Sequence, residues 1–375
     1  MTGTGTATGP ALRLTGVSRR FAQVVAVDDV HLELRQGEVL ALLGPSGCGK
    51  TTCLRLMAGF ERPDAGTVEI DGRVVASTSV MVPPERRRIG LVFQDLALFP
   101  HLDVRANVGY GIRKDAGRDL RVDELLELVG LAGEARRFPH ELSGGMQQRV
   151  ALARALAPHP DVLLFDEPFS SLDQAMRTQL RSDVRAILRD ARQSAIFVTH
   201  DQAEALTIAD RVAVMARGRM LQSATPELIY AEPATPFVAS FIGVANLVRA
   251  DVADGVARTR FGPVDLVGPD APQMSGPALC LLRPEHFTLE EAGARADGAD
   301  AWDVIGRRFS GSEILLEVRA QDGDRIWVEA GDQVRHVGPG DRVALGLRPV
   351  ESVAFPRSHA EQGPGAPTRT VEQRA

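Results

Sequence analysis

The chain has 375 residues with a formal net charge of −6, and its 44% hydrophobic and 25% charged content is that of a globular protein with about two or three domains. It contains no apolar run of the roughly 18 residues needed to span a bilayer and no signal peptide, and its three cysteines lack metal or disulfide spacing. These features favour a cytoplasmic protein and argue against a nucleic-acid-binding one.

Strand and helix patterns alternate to about residue 220. Strands are predicted at 12–18, 31–34, 38–43, 67–70, 89–93, 162–165 and 195–199. After Glu38 at its start, the stretch 38–43 is a continuous apolar run, which is typical of a strand buried on both faces of a parallel sheet. Helices are predicted at 122–131, 146–156 and, most clearly, 171–190, where apolar residues recur every four positions. Thr225 and Pro226 predict a further helix start.

After about residue 245 the pattern changes to short alternating stretches, such as 247–252, 314–318 and 325–329, separated by Gly, Pro and Asp turns. This pattern predicts a small β-barrel or sandwich. The Pro/Gly/Gln/Arg-rich stretch at 357–375 is predicted to be disordered.

The clearest chemical signal follows the apolar strand 38–43. It reads Gly44-Pro45-Ser46-Gly47-Cys48-Gly49-Lys50-Thr51-Thr52, which matches the phosphate-binding P-loop pattern and precedes a helix-like run. Its glycines let backbone N–H groups surround a phosphate, and the helix start adds partial positive charge. Lys50, one of two lysines in the chain, is expected to reach the β- and γ-phosphates, and Thr51 to bind Mg²⁺.

A second apolar strand, 162–165, ends in two carboxylates, Asp166 and Glu167. In P-loop proteins the aspartate at such a strand end holds Mg²⁺, and an adjacent glutamate can deprotonate the attacking water. A strand that ends in Asp-Glu is common by itself, so its position downstream of a P-loop is what favours the catalytic interpretation.

A third segment reads Leu142-Ser143-Gly144-Gly145-Met146-Gln147-Gln148-Arg149 and leads into the predicted helix 146–156. Ser143 suits a helix N-cap, and the two glycines leave the helix start open to an anion. Taken alone, an ordinary capped helix explains this segment equally well.

Together these motifs resemble the ATP-binding cassette (ABC) ATPases, whose signature sequence is similar to 142–145. The resemblance implies an α/β, P-loop NTPase (RecA-like) nucleotide-binding domain over 1–243 with a helical subdomain at about 95–157. Further roles then fall on Phe21, which would stack on adenine; Gln94, which would sense Mg²⁺ and the γ-phosphate; Asp173 of the D-loop; and His200, the switch histidine. Glu167, His200, Gln94 and Lys50 would form the catalytic set.

The resemblance also implies a machine with two ATP sites. In this family Ser143, Gly144 and Gly145 of one copy face the nucleotide held by the P-loop of the other, so a homodimer that binds ATP and Mg²⁺ is expected. The expected partners are integral membrane permease subunits, contacted near 95–102, and an extracytoplasmic substrate-binding protein. The chain would then lie at the cytoplasmic face of a bacterial membrane, with no nucleic acid partner.

The C-terminal third narrows the class. Leu282-Arg283-Pro284-Glu285 and the alternating residues after it resemble the small all-β (OB/TOBE-like) accessory domain of binding-protein-dependent importers, expected over 244–356. The phrases at 96–102, 107–111 and 138–142 look most like ferric-iron importers. ATP-driven import of ferric iron is therefore expected, with spermidine/putrescine as the runner-up and sulfate or sugar as further alternatives.

Two other classes of ATP-binding protein fit this sequence less well. A soluble ABC ATPase acting on nucleic acid or ribosomes usually has a long coiled-coil insertion or two cassettes, and this sequence has neither. A regulator that binds ATP without turnover has no need of a base, so the joint presence of Lys50, Asp166, Glu167 and His200 argues against it.

Overall fold

The computed structural model describes residues 9–170, 174–268, 271–291, 301–311, 313–331 and 334–357. The chain divides into two compact units, Met1–Pro226 and Glu227–Ala375. The predicted D-loop with Asp173, and the part of the predicted tail after residue 357, lie outside the described residues. None of the helices in the described part has the length and hydropathy needed to cross a membrane.

The first unit contains two sheets. Its strands are β1 (Leu12–Phe21), β2 (Val24–Leu34), β3 (Val39–Leu43), β4 (Ala65–Ile70), β5 (Arg73–Ala76), β6 (Ile89–Val92), β7 (Val162–Asp166), β8 (Ala195–Thr199), β9 (Arg211–Ala216) and β10 (Arg219–Ala224). The 6-stranded main sheet has the order β10-β9-β3-β8-β7-β6 and is parallel except for β10. The 4-stranded sheet, β2-β1-β4-β5, is antiparallel.

Strand β3 lies between β8 and β9, parallel to both, and all of its residues are buried. This confirms the prediction from its continuous apolar run. In the register, Leu43 pairs with Thr199 and Asp166 pairs with Val198. The carboxyl ends of β3, β7 and β8 therefore meet along one edge of the main sheet, which we call the carboxyl edge, and loops that follow these ends are brought together there.

The helices of the first unit are α1 (Lys50–Ala58), α2 (Val104–Val108), α3 (Arg118–Leu128), α4 (Gly144–Leu156), α5 (Gln174–Asp190) and α6 (Gln202–Ile208). The predicted helices at 122–131 and 146–156 correspond to α3 and α4, which both begin earlier than predicted, and the described part of the predicted helix 171–190 is α5. Helix α4 begins two glycines earlier than predicted because Ser143 Oγ accepts a hydrogen bond from the Met146 N–H and caps it there.

The core of the first unit joins α1 to the main sheet. Leu54 and Met57 on α1 belong to one buried apolar cluster with Leu42 of β3 and Leu164 of β7. Arg87 is buried beside this cluster and donates hydrogen bonds to the carbonyl oxygens of Leu56 and Met57 at the end of α1. A cation is favourable at a helix C-terminus, so Arg87 stabilises the end of the helix that begins at the P-loop.

The second unit is mostly β, as the alternating pattern predicts. Its elements are α7 (Pro226–Ala231), α8 (Pro236–Ile242), β11 (Asn246–Ala253), β12 (Val256–Thr259), β13 (Gly262–Leu266), β14 (Gly276–Leu282), β15 (Phe287–Glu291), β16 (Ala301–Phe309), β17 (Ile314–Arg319), β18 (Arg325–Glu329), β19 (Arg342–Leu347), β20 (Glu351–Ser352) and β21 (Ala354–Pro356). The strands form two sheets, β20-β13-β12-β11-β14-β21 and β15-β19-β16-β17-β18, around a core that includes Phe287 and Trp302.

The boundary between the units lies after Pro226, whereas the resemblance predicts a domain boundary at 243/244. The physical reason is Arg283, which is 2% exposed and donates hydrogen bonds of 2.9, 3.0 and 2.9 Å to the carbonyl oxygens of Ala239, Val244 and Tyr230. Its guanidinium also lies over the Tyr230 ring, 4.2 Å from the centroid. These contacts, which we call the Arg283 anchor, attach the segment of α7 and α8 to the β-sheets.

Candidate functional site

Residues 44–52 form the turn from β3 into α1, and the turn needs glycine. Gly47 and Gly49 adopt φ values of +76° and +109°. A Cβ atom on Gly49 would lie 2.2 Å from the Ala26 carbonyl oxygen, and one on Gly44 would lie 2.2 Å from that of Met215. Larger residues would therefore disrupt the backbone path that turns the loop into the start of the helix.

Lys50 is 5% exposed and lies within this loop. Its ammonium group donates hydrogen bonds to the carbonyl oxygens of Gly44 at 2.7 Å and Pro45 at 3.0 Å. No side chain caps α1 at Gly49, so first-turn N–H groups remain available to an anion. Burial raises the pKa of the Cys48 thiol, which leaves that group neutral beside the ammonium. Ser46 and Thr51 are exposed.

Asp166 and Glu167 lie at the carboxyl edge, at the end of β7. Burial, reinforced by the negative charge of Glu167, raises the pKa of Asp166 above its usual value, although Arg55 and Lys50 oppose the shift. Glu167 has a left-handed backbone with φ of +46°. Its N–H donates to the Val198 carbonyl oxygen at 2.9 Å, which ties this strained residue to β8.

His200 follows β8 directly and reaches across to β7. Its Nδ1 atom lies 3.0 Å from Oε2 of Glu167. Both side chains are partly exposed, so the pair is open to a ligand. The structure thus brings together an imidazole and a carboxylate that are separated by an intervening helix in sequence, because β7 and β8 are neighbours in the sheet.

Gln94 follows β6, at the end of the main sheet next to β7, and is exposed. The loop after it contains two consecutive left-handed residues, Leu96 and Ala97, with φ of +58° and +45°. Arg154 on α4 donates hydrogen bonds of 2.7 Å to both of their carbonyl oxygens. Arg154 therefore links the last turn of α4, the helix capped by Ser143, to the loop that carries Gln94, a role that the sequence pattern did not indicate.

Two other predicted site elements belong to β1 and α4. Phe21 ends β1, is 40% exposed, and has the Arg19 guanidinium 4.7 Å from its ring centroid. Ser143, Gly144 and Gly145 begin α4, and among the described residues no hydrogen bond joins them to the P-loop.

Side chains around His200 form a hydrogen-bonded group that the sequence motifs did not predict. Thr199 and Glu204 hydrogen-bond to each other, and Arg181 on α5 donates to Asp201 at 2.8 Å. Burial alone would raise the pKa of Asp201, but the Glu204 N–H and the Arg181 guanidinium bring it below its usual value. The only signal in the sequence is that an aspartate follows His200 and a glutamate comes three residues later, which is typical of any helix start.

The donors for a divalent cation are few. Among the described residues, no three His, Cys, Asp or Glu side chains cluster as a metal site. The Asp166 carboxylate and the Thr51 hydroxyl are oxygen donors, and Mg²⁺ is commonly bound by one or two carboxylates together with substrate phosphates. The residues present therefore fit Mg²⁺ bound jointly with a nucleotide.

Comparisons with known proteins agree with these motifs. Residues 27–170 match the family described as ABC transporter, and residues 280–355 match the TOBE domain. A protein of Rhodococcus jostii named Fe(3+) ions import ATP-binding protein is 45% identical over 341 residues, covering 89% of this chain and 96% of that protein. A spermidine/putrescine import ATP-binding protein of Rubrobacter xylanophilus is 43% identical over 357 residues, covering 92% and 90%.

Among solved structures, the chain is similar to CbiO1 of Clostridium perfringens, described as part of an ABC transporter complex. The TM-score is 0.55 at 26% identity, and the match covers 60% of this chain and 92% of that one. This likeness agrees with a nucleotide-binding fold in one part of the chain and a separate domain in the rest.

Proposed function

Because this chain belongs to the ABC transporter ATPase family and contains a TOBE domain, we propose that its ATP hydrolysis drives binding-protein-dependent import of ferric iron. The chain is an ABC-type ATPase that binds ATP. The observation that carries the catalytic part of the proposal is the 3.0 Å contact between His200 Nδ1 and Glu167 Oε2 at the carboxyl edge.

The P-loop holds the phosphates of ATP in this proposal. Backbone N–H groups from residues 44–52 surround them, and the buried Lys50 ammonium exchanges its carbonyl partners for phosphate oxygens. Phe21, exposed at the end of the β1–β2 hairpin, stacks on adenine. The hairpin is adjacent to the loop, since the Ala26 carbonyl oxygen closely approaches Gly49.

Thr51 and Asp166, with Gln94, hold Mg²⁺. When bound, this ion neutralises charge on the transferring phosphoryl group. Glu167, whose backbone is left-handed, accepts a proton from the attacking water. His200 Nδ1–H donates to that carboxylate and keeps it in place.

A second copy of the chain completes the site. Ser143, Gly144 and Gly145 of one copy, together with Asp173, face the nucleotide of the other. Two observations support this arrangement: Ser143 is exposed, and no hydrogen bond of the described residues joins the signature segment to its own P-loop. The homodimer closes when ATP is bound and opens after hydrolysis.

The partners are membrane permease subunits and an extracytoplasmic binding protein, with this chain at the cytoplasmic face of the membrane. The loop after Gln94 is suited to permease contact because it combines a defined backbone with apolar surface. Phe99 packs against Tyr110 with ring centroids 4.2 Å apart, and Tyr110 is 62% exposed. Asn107 hydrogen-bonds the N–H and carbonyl oxygen of Phe99, which holds this surface in shape.

Ferric iron is proposed as cargo because of the Rhodococcus jostii relative and the phrases at 96–102, 107–111 and 138–142. Spermidine/putrescine is the second candidate because of the Rubrobacter xylanophilus relative. Deleting the gene should impair uptake of radiolabelled ferric iron and leave spermidine uptake unchanged. Complementation with Lys50→Ala should fail to restore uptake, and loss of spermidine uptake alone would select the second candidate.

The catalytic part is tested with Glu167→Gln. Because the amide cannot accept the proton, ATP hydrolysis should fall on the order of 100-fold or more while ATP still binds. Size-exclusion chromatography with Mg²⁺ and ATP should then show a stable dimer. Turnover at the wild-type rate would contradict the assignment of Glu167 as the base. Glu69→Gln, an exchange on the small antiparallel sheet, serves as the control and should retain turnover.

A further inference from the structure

Two hydrogen bonds bracket the backbone of His200. The hydroxyl oxygen of Thr199 accepts the Asp201 N–H at 3.0 Å, and the same hydroxyl donates to Oε2 of Glu204 at 2.8 Å. One threonine side chain therefore connects the residues on both sides of His200 to the first turn of α6. His200 itself is exposed, whereas Thr199 and Glu204 are 1% and 3% exposed.

This arrangement departs from an ordinary helix start. Asp201 is the N-cap of α6 and accepts the Glu204 N–H at 3.0 Å. In a capping box the Glu204 carboxylate would accept the Asp201 N–H in return. Here the Thr199 hydroxyl takes that position, and the carboxylate binds the hydroxyl instead. The helix cap is thereby connected to the last residue of β8.

Glu204 is common in type at a helix start, but its burial is unusual for an ionisable side chain. Its Oε1 atom has no hydrogen-bond partner among the described residues. The charged groups that face it are Arg181 from α5, Asp201 at the start of its own helix, and Glu167 from the end of β7. Burial raises the pKa of Glu204 to about 7, and the Thr199 hydrogen bond and Arg181 oppose the shift.

The ionisation state of Glu204 controls the direction of the hydrogen bond. An ionised carboxylate only accepts, so the Thr199 hydroxyl must donate to it and present a lone pair to the Asp201 N–H. A protonated Glu204 can itself donate to Thr199, which frees the threonine proton and removes that constraint. The conformation of the residues around His200 is therefore best defined when Glu204 is ionised.

We propose that Glu204, acting through the Thr199 hydroxyl, is a positioning residue that keeps the imidazole of His200 against the Glu167 carboxylate during ATP hydrolysis. The inference rests on the proposed role of His200. It adds two buried residues, Thr199 and Glu204, that act through the position of the imidazole, and it predicts that they act as one unit.

The test uses the full-length chain and steady-state ATP hydrolysis with Mg²⁺. Thr199→Val and Glu204→Gln should each lower kcat on the order of tenfold, because either change displaces the His200 imidazole from the Glu167 carboxylate. The KM for ATP should stay within about twofold of the wild-type value, because the P-loop is left intact. The double variant should be no slower than Thr199→Val alone. Thr199→Ser keeps the hydroxyl and should retain most of kcat.

The pH profile provides a readout that a purely structural role would not change. The pH at the midpoint of the fall in log kcat on the acidic side of the profile, called the midpoint below, should differ between the wild type and Glu204→Gln, because the glutamine cannot ionise. Glu38→Gln is the matched control: it removes a carboxylate that pairs with Arg211 at the opposite end of β3, and it should keep the wild-type kcat and midpoint.

Three results would overturn the inference: additive losses in the double variant, an equal loss in Thr199→Ser, or an unchanged midpoint in Glu204→Gln. Unfolding curves for each variant separate these outcomes from misfolding. If His200→Ala hydrolyses ATP like the wild type, the proposed function of His200 fails. If His200→Ala is slow but Glu204→Gln and Thr199→Val are normal, only the positioning inference fails.

Discussion

Charged side chains have different partners in two regions of this molecule. At the carboxyl edge of the first unit ionisable groups face one another: His200 contacts Glu167, and burial together with the charge of Glu167 raises the pKa of neighbouring Asp166. In the second unit, Arg283 donates to three backbone carbonyl oxygens and lies over the Tyr230 ring. A group that faces another ionisable group can exchange protons or bind a ligand, whereas a cation bound to carbonyl oxygens holds the chain in place.

Lys50 combines features of both regions. Like Arg283 it is buried and donates to backbone carbonyl oxygens, but these belong to the P-loop itself. The partners of Lys50 alone would therefore suggest a structural role, whereas its place in a loop with left-handed glycines supports the proposal that it binds phosphate. The predictions below use this difference, beginning with the largest expected effect.

Replacing Lys50 with Ala should reduce ATP hydrolysis on the order of 1000-fold, because it removes a preorganised positive charge from the transferring phosphate. Steady-state hydrolysis and binding of a fluorescent ATP analogue measure the effect. The control is Lys114→Ala, which changes the other lysine, an exposed residue, and should be neutral. If the Lys50→Ala variant were less stable but still hydrolysed ATP at the normal rate, Lys50 would have a structural role like that of Arg283.

His200→Ala should slow hydrolysis on the order of 100-fold without weakening ATP binding, because the Glu167 carboxylate loses the partner that holds it. The matched control is His31→Ala. His31 also lies near a carboxylate, with Nε2 at 3.2 Å from Asp29, but on the small antiparallel sheet. A similar loss of hydrolysis rate in both variants would mean that any exposed histidine–carboxylate contact has this effect, and it would contradict the role proposed for His200.

Arg283→Met should lower the free energy of unfolding by about 2–4 kcal/mol, because it leaves buried carbonyl oxygens of Tyr230, Ala239 and Val244 without donors. Urea unfolding measures this, and ATP affinity should stay within twofold. Arg249→Met, at an exposed position on β11, is the control. A large fall in ATP affinity with unchanged stability would place Arg283 in the chemistry instead of the scaffold.

The smallest expected effect is the pH dependence of stability due to Glu204. Its pKa is raised from 4.5 to about 7 in the folded chain, so its stabilising contribution is complete below about pH 4.5 and is lost as the pH rises through 7. The free energy of unfolding of the wild type, relative to Glu204→Gln, should therefore fall over that range by at most about 3 kcal/mol. Thr199→Val retains the carboxyl and should retain the slope; a flat difference between wild type and Glu204→Gln would contradict the burial argument.

The sequence by itself determined the features that depend on neighbours along the chain. The P-loop could be recognised because a phosphate is bound by consecutive backbone N–H groups, so residues 44–52 contain the whole geometry. Buried parallel strands such as β3 and β8 could be predicted for a similar reason, since burial on both faces requires a continuous apolar run. Helix α5 followed from apolar residues repeating every four positions.

The tertiary structure alone decided the contacts between distant segments. Strand order brings His200 to Glu167, and long side chains reach carbonyl groups that sequence patterns do not specify, as Arg154 does at the loop after Gln94. The boundary between the two units also differs from the predicted one because of a contact between distant segments: Arg283, in the β-rich part of the chain, donates to the Ala239 carbonyl oxygen of α8. Hydrogen bonds of this kind depend on which chain segments become neighbours after folding, whereas periodicity and short motifs record only local geometry.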